Sequence, residues 1–260
     1  MLLKDKKGLL MTFQTFTKKD GHTLAYEQDN ADRPLGLIYL HGLLSSRKSH
    51  KGQFLKAFAK DNHLSYLGFD FTAHGDSWGS PTDWRIGRCL DDAMEIISAL
   101  TQGPQILVGS SMGGWISLLV AEKMPQKVAG LLGLAAGADF TQYVWDHVLN
   151  KQHKEAMKKG HVFGPSEATQ GYCFSYPMFE EAQKYFLLER KIAYRGPVIL
   201  MNGDDDKLVP LDTPFKIKDN LESDNVQVWI NKGSAHTLST PTDLQRIACA
   251  IRTLLSFIRP

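Results

Sequence analysis

The chain has 260 residues, enough for one large α/β domain with a complete core. A net charge of +2 excludes the strong basic field that would point to nucleic acid as a partner. The three cysteines, Cys89, Cys173 and Cys249, lack C-x-x-C spacing, which speaks against a disulfide scaffold or a zinc site and fits a reducing compartment.

In chain order, Met1 to Met11 holds short apolar pieces broken by Lys4, Asp5, Lys6 and Lys7. It has neither the apolar core nor the small-residue cleavage site of a signal peptide. No run approaches the ~18 apolar residues of a membrane span. These features predict a soluble cytoplasmic protein, or one of an organellar matrix if a presequence has been removed.

Thr12 to Phe16 and Thr23 to Gln28 read as strands joined by a turn at Lys19-Asp20-Gly21. Leu35 to Leu40 is a nearly continuous apolar run, the mark of a strand buried on both faces. A helix over Lys51 to Lys60 and a strand over Ser65 to Phe69 follow. Ile86 to Leu100 places Ile86, Leu90, Met94 and Ile97 on one helical face. Gln105 to Val108 is a strand, Trp115 to Glu122 a helix, and Val128 to Leu134 another buried strand. From Asp139 to Arg195 the β/α alternation stops. Val198 to Met201 and Val226 to Ile230 resume the strands, and Leu244 to Ile258 closes the chain with an amphipathic helix. This alternation predicts an α/β domain over residues 1–260: a mostly parallel, doubly wound sheet, with 139–195 inserted as a helical lid.

Ligands bind beyond the carboxyl ends of the strands in such a sheet. The reactive residues collect there. Gly109-Ser110-Ser111-Met112-Gly113 is a G-x-S-x-G pattern between a strand and a helix. This elbow forces its central residue, Ser111, to positive φ, and Gly109 and Gly113 remove the side chains that would then collide. The Met112 N–H at the helix start can face a developing oxyanion.

A serine nucleophile needs a base and an orienting acid, which follow it in the order acid, then histidine. His236, in the loop after the last strand, is the histidine that fits. The turn Gly203-Asp204-Asp205-Asp206 offers three adjacent carboxylates, an arrangement that is usually a solvated turn. Asp206 is the choice because it stands just ahead of the apolar anchor Val209-Pro210, with Asp204 and Asp205 facing solvent or bracing the turn and Asp212 a weaker candidate. A second oxyanion donor, the Leu43 N–H, is expected in His41-Gly42-Leu43, where Gly42 lets the backbone approach substrate. His41 either takes part in catalysis or orients this loop. Asp70, at the next strand end, reads as a brace between loops. A metal reading of Asp70, His74 and Asp76 lacks any recognised ligand spacing, so neither metal nor cofactor is expected.

Ten of the chain's aromatic residues, drawn from 13 Phe, 5 Trp and 8 Tyr, fall between Phe140 and Phe186. They would either line an apolar pocket under the lid or anchor the lid to the body. Lys151, Lys154, Lys158 and Lys159, with His153 and His161, form either a solvated helix face or a basic rim for an acidic leaving group.

With these residues assembled, the chain resembles the α/β-hydrolase superfamily from about Leu35 to about Leu244. Within it, the segment Gly103-Pro104-Gln105-Ile106-Leu107-Val108-Gly109-Ser110-Ser111-Met112-Gly113-Gly114-Trp115 is similar to the mitochondrial palmitoyl-protein thioesterases that also cleave acyl glucuronides, mycophenolic acid acyl-glucuronide among them. The resemblance implies the α/β-hydrolase fold, Ser111, Asp206 and His236 as a triad, and S-acyl or activated-ester hydrolysis. The implied partner is a small-molecule ester or acyl thioester, or an acylated protein, with no nucleic acid and no membrane span. Other chemistry on the same frame, such as C–C bond hydrolysis, and a non-catalytic binding module are the alternatives.

Overall fold

The computed structural model describes residues 13–164 and 173–258. The expected strand start at Thr12, the Met1 to Met11 segment and Tyr172 lie outside them. Among the described residues one sheet runs in the order β1-β2-β4-β3-β5-β6-β7-β8. β1 (Gln14–Thr17) and β2 (Thr23–Asp29) form an antiparallel hairpin, and β2 runs antiparallel to β4 (Ser65–Phe69). β3 (Gly36–Leu40), β4, β5 (Gln105–Ser110), β6 (Val128–Leu134), β7 (Val198–Gly203) and β8 (Val226–Asn231) run parallel to one another. This is the mostly parallel sheet expected from the alternation and the α/β-hydrolase fold that the resemblance implies.

The apolar runs explain the layering. On β3, Ile38 and Leu40 face one core while Leu37 and Tyr39 face the other, and all four are buried. The first core is roofed by α2 (Ile86–Leu100) and α3 (Met112–Lys123), the second by α1 (His50–Asp61) and α8 (Pro241–Ile258). Continuous apolar strands are what a sheet covered on both faces requires. α3 is buried along almost its whole length from Met112 to Ala121, so it carries no polar stripe. It starts at Met112 rather than at Trp115 as expected, because the turn that precedes it is confined to Ser111. Thr213–Asn220 forms α7, a helix whose eight residues are too few to stand out in the sequence; it begins on Thr213-Pro214, where proline's fixed φ suits a first turn.

Between β6 and β7 the chain makes α4 (Phe140–Tyr143), a π-helical turn (Val144–Val148), α5 (Lys151–Lys158) and α6 (Tyr176–Ala182). Ring contacts tie these pieces to the body: Trp84 meets Phe140 and Phe174, and Trp115 meets Phe140 and Phe186. The Trp115 indole N–H donates to the Tyr185 carbonyl at 3.0 Å. Gly87 on α2 lets α6 dock; a Cβ there would stand 2.2 Å from Glu181 Oε1, which accepts the Gly87 N–H at 2.8 Å. The ends of the segment are clasped by Asp139, whose buried carboxylate accepts the Leu187 N–H at 2.9 Å and the Leu188 N–H at 2.9 Å.

That clasp makes a local prediction. Asp139→Ala leaves two backbone donors without their acceptor, at a cost of about 1–3 kcal/mol for each that stays buried. Amide exchange across 140–164 and 173–188 should accelerate while β5 and β6 keep their protection. Uniform acceleration through the sheet would mean that Asp139 supports the whole fold instead.

Candidate active site

The residues singled out at the strand ends converge. β5 ends in Ser110, and Ser111 adopts φ 53° and ψ −117°, a conformation that L-residues rarely take and that costs of order 1–3 kcal/mol. Backbone bonds hold it there. Its N–H donates to Leu134 O at 2.9 Å, and its carbonyl accepts from Gly114 at 2.9 Å and Gly137 at 3.0 Å. The flanking glycines have steric reasons to be glycines. A Cβ on Gly109 would lie 2.4 Å from the Gly113 carbonyl oxygen, and one on Gly113 would lie 2.0 Å from Leu40 O.

Strained in this way, Ser111 presents its hydroxyl to His236, with Nε2 to Oγ at 3.0 Å. The other ring nitrogen, Nδ1, lies 2.8 Å from Asp206 Oδ2. A carboxylate can only accept, so Nδ1 carries the proton and Nε2 offers its lone pair to the serine. Asp206 Oδ1 accepts the N–H groups of Leu208 at 2.8 Å and Val209 at 3.0 Å, so the Val209-Pro210 anchor does fix the carboxylate. Burial works to raise the Asp206 carboxyl, but the bonds from His236, Val209 and Leu208 outweigh it and hold the group below its usual range. The histidine side chain keeps 18% of its surface exposed against 2% for the aspartate, so the ring is reachable from solvent while the carboxylate is not.

The neighbouring carboxylates have other partners. Asp204 Oδ1 accepts the Gly233 N–H at 2.6 Å and so braces the histidine loop. Asp205 pairs with Lys207 at 2.6 Å in solvent, and Asp212 with Lys216 at 2.8 Å.

The Gly42 loop lies against Ser111: a Cβ on Gly42 would stand 3.2 Å from Ser111 Cβ. Among the described residues, neither the Leu43 nor the Met112 N–H meets an acceptor. His41 is fully buried. Its Nδ1 donates to Gly42 O at 2.7 Å and its Nε2 accepts the Phe71 N–H at 3.1 Å, so both nitrogens are occupied in tying the loops after β3 and β4. Burial, then the nearby His74, lowers its pKa to about 3, and it stays neutral. Of the two roles open to it, the geometry supports orientation.

Asp70 is fully buried, and its partner is a residue the sequence does not flag. Arg47 contacts Asp70 through both Nη1 and its backbone N–H, the latter at 2.7 Å, and reaches Asp76 at 2.9 Å. Asp76 also pairs with Lys48, and His74 Nδ1 bonds Thr72 O at 2.9 Å. A buried pair between residues this far apart leaves no periodic trace, and no pattern around Arg47 could have found it. On the inserted segment, Lys154 and Lys158 sit over the Trp145 and Tyr176 rings at 5.4 and 5.9 Å.

Against known proteins, a family model described as alpha/beta hydrolase fold matches residues 37–160. The chain is 32% identical over 241 residues to palmitoyl-protein thioesterase ABHD10, mitochondrial, of Bos taurus, covering 92% of this chain and 78% of the relative. It is 29% identical over 221 residues to (E)-2-((N-methylformamido)methylene)succinate hydrolase of Acinetobacter baylyi, covering 75% and 81%. Among solved structures, alpha/beta hydrolase domain-containing protein 10 from mouse superposes with a TM-score of 0.85 at 28% identity, over 95% of this chain and 99% of that one. The thioesterase relatives are named as mitochondrial, which agrees with the organellar expectation and not with the cytoplasmic one. Among the described residues, no helix is long and apolar enough to cross a membrane.

The neutrality of His41 sets a pH dependence. The unfolded chain binds a proton at this histidine near pH 6.5, whereas the folded one resists until about 3. Its contribution is therefore complete above pH 6.5 and is lost as pH falls toward 3, at up to about 1.4 kcal/mol per unit. Urea midpoints at pH 7 and pH 4.5 should separate less for His41→Gln than for the wild type. Equal separations would show that His41 is protonated in the fold.

Proposed function

The chain belongs to the α/β-hydrolase family that includes the mitochondrial palmitoyl-protein thioesterases, and on that footing we propose that it is a serine hydrolase cleaving carboxylic esters or thioesters. One observation carries the reading: Ser111, held at positive φ, lies 3.0 Å from His236 Nε2, and His236 Nδ1 lies 2.8 Å from Asp206. His236 takes the Ser111 proton as Oγ attacks the acyl carbonyl. The tetrahedral oxyanion is held by the Met112 and Leu43 N–H groups, each of this kind worth about 3 kcal/mol at the transition state. Asp206 stabilises the imidazolium that forms. His236 then protonates the departing alcohol or thiol, leaving the acyl group on Ser111. Water enters, gives its proton to Nε2, and attacks the acyl-enzyme; the free acid leaves and Ser111 regains its proton.

The segment 139–195 is the lid in this reading. Trp84, Phe174 and Phe179 are almost completely buried in mutual contact, which supports anchoring as their role. Phe140, Trp145, Tyr176 and Phe186 pack on the same core but keep part of their surface exposed, and in this reading that exposed part meets an acyl chain. Lys154 and Lys158 are partly engaged by rings, so the basic rim is weaker than the charges alone suggest. The substrate is an acyl thioester, an acylated protein or an acyl glucuronide, and an organellar matrix is the compartment the mitochondrial relatives support.

Ser111→Ala should fold normally, yet lose fluorophosphonate labelling and turnover of p-nitrophenyl esters. Asp206→Asn should lower kcat by about 10⁴ through the wrong histidine tautomer, while Asp204→Asn retains most activity. Normal labelling of Ser111→Ala, or the reverse order for the two aspartates, sinks the assignment. Comparing kcat/KM across esters of rising chain length, an acyl thioester and an acyl glucuronide then sorts the substrate classes.

A further inference from the structure

Lys51, in the first turn of α1, is only 9% exposed. Lysine is rarely buried without an ion-pair partner, yet among the described residues Lys51 has none within ion-pair distance. Its Nζ donates instead to the backbone carbonyl of Thr237, a contact spanning 186 positions in the chain. Thr237 is the residue after His236. The preceding side of that loop is already held, by Asp204 to the Gly233 N–H at 2.6 Å, by the Asp205 N–H to Ser234 O at 3.2 Å, and by Ser234 Oγ to Asp243 at 2.6 Å. On the following side, Leu238 returns its N–H to Ala235 at 3.1 Å, a bond internal to the loop. The burial of Leu238 in the core also anchors that side, and the Lys51 contact adds a directional bond from α1 to the residue next to His236.

Given the proposed Ser111–His236 hydrolase, we infer that Lys51 is a positioning residue for the general base, its ammonium holding the Thr237 carbonyl so that His236 Nε2 stays aligned with Ser111. A bare packing role would need no charge at this place, and desolvating an ammonium is costly. The charge strengthens the contact, since an ammonium donor bonds a carbonyl about twice as strongly as a neutral amine.

The tie is sensitive to pH. Burial lowers the Lys51 pKa to about 8, against the opposing pull of Asp243 on α8. Burial raises Asp243, but bonds from Ser234 and Thr240 outweigh it and keep the carboxyl ionised. Arg246 neighbours Asp243 at 3.5 Å. Tyr39 of β3, pushed by burial to about 12, and Tyr66 of β4, raised further, remain protonated. His236 must already be neutral for catalysis. Above about pH 8, Lys51 therefore loses its proton, the grip on Thr237 weakens, and kcat falls, where a serine hydrolase without such a tie stays on its plateau.

The test is the pH profile of kcat and kcat/KM for a p-nitrophenyl ester, measured from pH 5.5 to 10. The wild type should lose kcat as pH rises through about 8. Lys51→Met should lose about tenfold or more in kcat below pH 8, a misplacement effect, with KM little changed and the falling limb gone. Lys51→Arg, which keeps its charge, should restore most of the activity and move the limb upward. Lys51→Met with a lower kcat but an unmoved limb would reduce Lys51 to a packing role, and wild-type kcat would remove it altogether. If Lys51→Met does not fold, Lys51→Arg decides, since a limb at the wild-type pH overturns the inference. Failure of the underlying hydrolase reading looks different: the wild type itself would show no Ser111-dependent turnover.

Discussion

Ser111 is held where L-amino acids seldom go, and the sheet's centre is arranged around it. Ser111 at φ 53° can persist only if its surroundings over-determine it. Leu134, Gly114 and Gly137 fix its peptide groups, and the absent side chains at Gly109 and Gly113 leave room for Leu40 O and the turn itself. Because β3 and β6 flank β5, the strain is borne by the most deeply buried part of the sheet. A peripheral strand, free to shift, would relax the turn and withdraw the hydroxyl.

The loops around that point are secured by a different means. Each is fastened by a buried polar or charged side chain reaching a backbone atom of another loop: Arg47 and Asp70 between the β3 and β4 ends, His41 between Gly42 and Phe71, Lys51 to the histidine loop, Asp139 across the base of the inserted segment. Loops bury too little apolar surface to be held by packing alone, and their backbone groups must be satisfied somewhere. Directional bonds meet both needs. For the one buried ion pair among them, Arg47 with Asp70, removing either partner leaves an unmatched buried charge at a cost of about 3–5 kcal/mol.

This division accounts for what could be read in the sequence. The strands over Ser65–Phe69 and Val128–Leu134 and the helix over Ile86–Leu100 are found at their expected limits, because period and apolar continuity are local signals. Ser111 and His236 were legible for a related reason, since strand ends are where such a sheet exposes its chemistry. α7 was not legible, being short and half exposed. Arg47, Lys51 and Asp139 were not either. In sequence each is an ordinary polar residue near an element boundary, and its meaning lies in a partner 23, 186 or 48 positions away.

The three consecutive carboxylates make the same point in one turn. Asp204, Asp205 and Asp206 are chemically alike, and composition gives no ground for choosing among them. The backbone separates them. Asp204 is turned to the Gly233 N–H, Asp205 to solvent and Lys207, and Asp206 inward, where Leu208 and Val209 hold one oxygen and leave the other to a histidine. What selected Asp206 in the sequence was the apolar Val209 just beyond it, for a residue that must be buried pulls the turn down and takes the nearest carboxylate with it. The anchor, rather than the acid, carried the information, and the anchor's own N–H group is one of the two that fix that acid in place.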